Sequence, residues 1–223
     1  MLEAKNISFA YGRDPVFSGA TFTVVPGETI ALVGANGAGK TTLLRVLAGL
    51  LMPCSGHVYA DGTDIFKRPI RYRRMLGFLS EAAPVELGIT VKRYLRYRAL
   101  LKGEQPRRIR HRVEEAMETC GISDFADAPT DLLSAGQRKR VALADVFLLR
   151  PRVLLLDDVL AGIDEQTRNA LASVLSSSIS FACAIVSGHE LNELGRLAKR
   201  FFVLKNGTLY EAPDVSAARK AIA

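Results

Sequence analysis

The chain has 223 residues and is 48% hydrophobic, enough to enclose a core and too much for wholesale disorder. No apolar run approaches the ~18 residues that mark a membrane-spanning helix, and Met1 to Asn6 lack the basic start and apolar stretch of a secretion signal. The net charge of +7 is uneven: residues 67 to 112 carry 14 Lys/Arg against 3 Asp/Glu, while the rest has 16 basic and 20 acidic residues.

The first 30 residues read as strands, with Ile7 and Phe9, then Phe22 and Val24, at period two. Thr29 to Val33 is a short apolar strand running into a glycine-rich loop. A helix is expected from Lys40 to Leu50, with Leu43, Leu44, Leu47 and Leu50 on one face. Asp61-Gly62, after Val58, is a turn signal. The cationic stretch fits nucleic acid, an anionic membrane surface or simply a solvated helical face.

The middle of the chain is helical. One helix spans Val91 to Lys102 and stops at Gly103; Pro106 opens a second, whose apolar stripe is Ile109, Val113, Ala116, Met117 and Cys120 before Gly121 closes it. Ser134-x-x-Gln137 has the form of a capping box opening a third. Val153 to Leu156 and Cys183 to Val186 read as buried strands, and Asp164 as the cap of a helix reaching Leu175. A short helix from His189 follows. Phe201 to Leu204, Asn206-Gly207 and Thr208 to Tyr210 form a closing hairpin, and a terminal helix spans Val215 to Ala223. Cys54, Cys120 and Cys183 lie far apart, so they read as small apolar residues of a reducing compartment.

Gly34-Ala-Asn-Gly-Ala-Gly39-Lys40-Thr41 matches G-x-x-x-x-G-K-[ST] between a strand and a helix. Glycines let the backbone curl so that several N–H groups converge on phosphate oxygens, and the following helix aims its positive end at the same anion. Gly34, Asn36, Gly37, Ala38 and Gly39 are expected to build this cradle for a nucleoside triphosphate. Lys40 supplies a point charge for the terminal phosphates, Thr41 a hydroxyl for Mg²⁺, and Thr42 a further donor. Val153 to Leu156 ends in Asp157 and Asp158, and a parallel strand delivers such residues to the ligand crevice. Asp157 is expected to hold Mg²⁺ and Asp158 to orient the attacking water.

Leu133-Ser134-Ala135-Gly136-Gln137 resembles the LSGGQ signature of ABC ATPases, with Ala135 in place of a glycine. The resemblance covers nearly the whole chain. Tyr11 is similar to that family's adenine-stacking aromatic, Ala161-Gly-Ile-Asp164 to the loop that links the two sites of a dimer, and His189 to the histidine that contacts the γ-phosphate. The resemblance implies an α/β fold: a P-loop NTPase parallel-sheet core with an N-terminal antiparallel β subdomain (about 1–81 and 146–223) and an inserted helical subdomain (about 82–145). It also implies a head-to-tail dimer with a second ATPase subunit, identical or different, in which Ser134 and Gly136 of one copy cover ATP on the phosphate loop of the other. A separate polytopic membrane permease would be the further partner, with no nucleic acid, at the cytoplasmic face of the membrane. Ser134 would cap a helix whose positive end faces the γ-phosphate across that interface.

Two departures bear on activity. Asp158 stands where the family usually has glutamate, one methylene shorter, so hydrolysis is expected to be slow; a misplacement of about 1 Å costs on the order of 10²-fold. Glu81 stands near the family's Mg²⁺-contacting glutamine. Leu76-Gly-Phe-Leu-x-Glu81, then Gly88-Ile-Thr-Val91 and a basic-aromatic helix, resembles ATPases of multidrug and polysaccharide exporters, so export is expected. Two other readings stay open: a soluble ABC ATPase acting on nucleic acid or ribosomes, and a hydrolysis-poor module paired with a competent subunit.

Overall fold

The structure, a computed structural model, describes residues 1–82, 85, 88–160, 164–178 and 182–222, the side chains of 176–178 excepted. Strands β1 (Leu2–Tyr11), β2 (Asp14–Val24), β4 (Ser55–Ala60) and β5 (Thr63–Asp64) form an antiparallel sheet in the order β2-β1-β4-β5. Asp61 and Gly62 both take positive φ (46° and 73°), as the tight turn between β4 and β5 requires.

The second sheet has the order β10-β9-β3-β8-β7-β6, built from β3 (Thr29–Val33), β6 (Leu76–Leu79), β7 (Val153–Leu156), β8 (Cys183–Ser187), β9 (Arg200–Lys205) and β10 (Thr208–Ala212). All neighbours are parallel except the β9–β10 hairpin. Its central strands are buried on both faces, so successive residues feed different cores. Ile30, Leu32, Val153, Leu155 and Ile185 pack with α1 (Lys40–Leu47) and the antiparallel sheet. Ala31, Val33, Leu154, Leu156 and Val186 pack on the opposite face with α3 (Val91–Leu101), α4 (Pro106–Thr119), α5 (Ala135–Phe147) and α6 (Glu165–Ser178). Each such leucine contributes about 1.5–3 kcal/mol relative to exposure. The sheet's carboxyl ends are thereby fixed from two sides, and the phosphate loop and Asp157-Asp158 sit on those ends.

Several elements differ from their sequence reading. The first helix stops at Leu47: Gly49 turns the chain at φ 70°, and Leu50 is exposed. The short α2 (Pro69–Arg73) and β6 were not foreseen. Gly77 inside β6 explains itself, because a Cβ there would come within 2.6 Å of Val146 and 2.9 Å of Leu154. The helix expected from His189 begins at α7 (Leu191–Leu197), leaving His189 and Glu190 on the preceding loop. The terminal helix is α8 (Val215–Ile222). The boundary expected at residue 145 falls inside α5, which runs on to Phe147.

The cationic segment also divides. Arg98 donates to Asp145 through Nε at 3.2 Å and Nη2 at 3.0 Å, and Lys102 pairs with the same carboxylate. Arg110 meets Glu114, and Arg112 meets Glu104 and Glu115. Tyr94, which lies within this cationic stretch, is buried in the core. Arg93, Arg96, Tyr97, Leu100 and Leu101 are exposed and recur at helical spacing along α3. Among the described residues, no helix is long and apolar enough to cross a membrane.

Candidate functional site

β3 ends at Val33 and the chain turns at once into the loop that precedes α1. Gly34, Gly37 and Gly39 have φ of 155°, 77° and 103°, conformations that residues bearing a Cβ rarely adopt. Two of these positions also lack space: a Cβ on Gly34 would strike the Leu204 carbonyl oxygen, and one on Gly39 would lie 2.5 Å from Val16 Cγ1. Gly37 has open space beside it, on the side that borders the cleft. The loop is thus a backbone cradle pressed between β2 and β9.

Lys40, the first residue of α1, folds back over this cradle and donates from Nζ to Gly34 O at 2.9 Å and Ala35 O at 3.0 Å. Only 8% of it is exposed. Burial pushes its ammonium below the usual lysine range, while the carboxylates of Asp158 and Asp157 pull it back.

Those carboxylates stand at the end of β7. Asp157 is 2% exposed, its amide tied to Leu79 O at 2.8 Å and its Oδ1 accepting from Ser187 Oγ at 2.7 Å. Asp158 has φ 46°, and its amide donates to the same Ser187 Oγ at 2.9 Å. Asp158 Oδ2 faces His189 Nε2 at 3.5 Å. From the signature helix α5, Lys139 lies within the fields of Asp158 and Glu81, which oppose the downward push of burial on its ammonium.

These groups surround one cleft of about 710 Å³. The loop contributes Asn36, Gly37, Gly39, Lys40, Thr41 and Thr42; the other walls are Tyr11, Glu81, Asp157, Asp158 and His189. Tyr11, half exposed at the end of β1, rests edge-on against Phe9 with ring centroids 4.9 Å apart. Gly34 and Ala38 border a neighbouring cavity of about 540 Å³ on the other side of the loop. Val16 lines both spaces and was missed by the sequence reading, which has no local signal for a β2 residue closing a loop after β3. Cationic loop, hydroxyls and hard carboxylate oxygens together suit a triphosphate and an oxygen-preferring dication.

The signature residues Ser134, Ala135, Gly136 and Gln137 do not line this cleft. They form the start of α5, where the capping box is complete: Gln137 N donates to Ser134 Oγ at 3.2 Å and Ser134 N to Gln137 Oε1 at 2.9 Å. The Ser134 hydroxyl accepts in this arrangement, so its own proton remains for an outside acceptor. Gly136 packs against Asp164, whose Oδ2 occupies the place a Cβ would take. Asp164 Oδ1 meanwhile accepts from Thr167 N at 2.7 Å at the start of α6, a bond that holds its carboxyl below the usual range. Thr167 Oγ1 donates to Gly136 O at 3.5 Å. The Asp164 carboxylate thus caps the start of α6 and packs against the start of α5. The remainder of the expected linking loop, residues 161 to 163, lies outside the described residues.

Comparisons with known proteins identify the family. A family profile described as "ABC transporter" matches residues 17–161. The chain is 36% identical over 222 residues to the nickel import ATP-binding protein NikO of Rhodobacter capsulatus, covering 94% of this chain and 87% of that protein. It is 31% identical over 215 residues to the energy-coupling factor transporter ATP-binding protein EcfA of Methanothermobacter thermautotrophicus, covering 94% and 69%. A solved structure of an ATP-binding subunit of an ABC transporter superposes with a TM-score of 0.89 at 26% identity, covering 99% of this chain and 93% of that one.

Proposed function

The chain belongs to the ABC transporter family as an ATP-binding subunit, and from that premise we propose a mechanism, a direction and partners. The observation that carries the mechanism is the single cleft in which Lys40 and the loop amides face Asp157, Asp158 and His189. The loop from Gly34 to Gly39, with Lys40 and Thr42, binds the phosphates of ATP, and Tyr11 offers its ring to the base. Thr41, Asp157 and Glu81 are the oxygen donors that would hold Mg²⁺, which would supply charge neutralisation for the phosphates. Among the described residues no cluster of three His, Cys, Asp or Glu is poised to hold a metal alone. That suits an ion held by one or two carboxylates together with the nucleotide.

Asp158 is placed to accept a proton from water as its oxygen attacks the γ-phosphorus and the bond to the β–γ bridging oxygen breaks, giving ADP and phosphate. His189, 3.5 Å from that carboxylate, is placed to orient the same water or a γ-phosphate oxygen. The one-methylene shortfall at Asp158 makes turnover slow. The signature turn of a second copy would cover the cleft, bringing the spare proton of Ser134 and the positive end of α5 to the terminal phosphate. A single subunit therefore binds MgATP and hydrolyses it poorly. ATPase activity per subunit is expected to rise with protein concentration as pairs form; activity strictly proportional to protein down to nanomolar dilution overturns this.

Export, the direction expected from Leu76 to Val91, finds no support among the relatives, whose names are import or energy-coupling names; import is the direction we favour. The membrane partner is best matched by the exposed face of Arg93, Arg96, Tyr97, Leu100 and Leu101 on α3, where cations adjoin apolar surface. Arg98 is excluded from that face by its bond to Asp145. Internal pairing of Arg98, Lys102, Arg110 and Arg112 also reduces the charge available to nucleic acid, which disfavours that alternative.

A further inference from the structure

The acidic end of β7 is organised by a residue that belongs to another strand. Ser187 is the last residue of β8, hydrogen-bonded neighbour of β7, and is fully buried. Its hydroxyl gives its proton to Asp157 Oδ1 at 2.7 Å and receives the Asp158 amide proton at 2.9 Å. A serine hydroxyl has one donor and two acceptor sites, so both bonds form at once without competition. One oxygen atom therefore sets the rotation of the first carboxylate and the backbone of the second.

The second effect matters because of the conformation Asp158 holds. Its φ of 46° is in the left-handed region, which aspartate tolerates better than most residues but which persists only where surroundings over-determine it. The hydrogen bond from its amide to Ser187 Oγ is a restraint at that residue. It delivers Oδ2 to within 3.5 Å of His189, two residues beyond Ser187 on the same chain segment. Gly188 lies between them, and a Cβ there would stand 3.7 Å from Asp158 Oδ1, in ordinary contact with the carboxylate.

We propose that Ser187 is a positioning residue for the MgATP chemistry, aiming Asp157 at the metal site and locking the turn that presents Asp158. This rests on the reading of the cleft as an ATPase site. A serine there for packing alone would leave both carboxylates working after its removal. Loss of an outer partner of a metal-ligating carboxylate costs about 10- to 100-fold in metal affinity or activity.

The test uses the full chain at a concentration where the unsubstituted protein turns over, with Ser187→Ala and Ser187→Thr. Three quantities are read: kcat and KM for MgATP, the Mg²⁺ concentration that half-saturates ATP binding, and the affinity for a fluorescent ATP analogue in EDTA. The expected result for Ser187→Ala is a fall in kcat of about tenfold or more and a matching rise in half-saturating Mg²⁺, with metal-free affinity within twofold. Ser187→Thr, which keeps the hydroxyl, is expected to restore both to within threefold. Retention of kcat and half-saturating Mg²⁺ within threefold in Ser187→Ala overturns the proposal. So does an equal loss in metal-free affinity, which would mark general damage to the fold. The threonine methyl adds volume at an enclosed position; if that variant melts early, the alanine variant with its metal-free control decides alone. Failure of the unsubstituted chain to bind or hydrolyse ATP would instead strike the functional reading itself.

Discussion

The two walls of the cleft hold their charges by different means. The phosphate-loop wall is made of backbone: three glycines at positive φ, a loop wedged against Val16 and Leu204, and a lysine anchored on two carbonyls of its own loop. The acidic wall is made of side chains, with Asp157, Asp158, Ser187 and His189 converging from β7 and from β8 with the loop after it. A backbone wall fails all at once, because its geometry admits no substitute. A side-chain wall fails by degrees, one function at a time.

The sharpest test of this contrast is Asp158→Asn. It preserves shape and removes the proton acceptor, so turnover is expected to fall by about 10²- to 10⁴-fold while ATP affinity stays within twofold. Equal loss of both, in steady-state kinetics and nucleotide titration, breaks the contrast. Gly34→Ala tests the other wall. A methyl forced against the Leu204 carbonyl is expected to lower ATP affinity at least about tenfold and to destabilise the fold by about 1–3 kcal/mol, since no conformer relieves it. Normal affinity in isothermal titration with an unchanged melting temperature would show that the loop is more forgiving than its packing implies. Asp158→Glu is expected to raise turnover, by up to about 10²-fold if reach is what limits the aspartate. No gain in a steady-state ATPase assay would mean that the left-handed backbone at residue 158 already supplies the reach.

The same division governs what could be read before the fold was known. The phosphate loop lies in eight consecutive residues, Gly34 to Thr41, and its physics is local. The capping box is local too, spanning Ser134 to Gln137, and its two reciprocal bonds are present. Ser187 carried no signal, because its partners are 29 and 30 positions away and meet it only when β7 and β8 pair. β6 is four residues long with a glycine inside, too short for period two to speak, and its glycine is required by neighbours from α5 and β7. Tyr94 and Arg98 lie in a cationic stretch whose sequence does not tell core from surface. Only the packing of α3 shows that one is core and the other is spoken for by Asp145 on α5.

The sharing of Asp164 between two helix starts gives Gly136 an unusual status. The room beside its Cα is filled by another residue's negative charge rather than left empty. A side chain at 136 would push that carboxylate oxygen aside, while the other oxygen holds Thr167 N at the start of α6. The smallness of one residue in the signature is therefore matched to a side chain 28 positions downstream, where the starts of α5 and α6 meet.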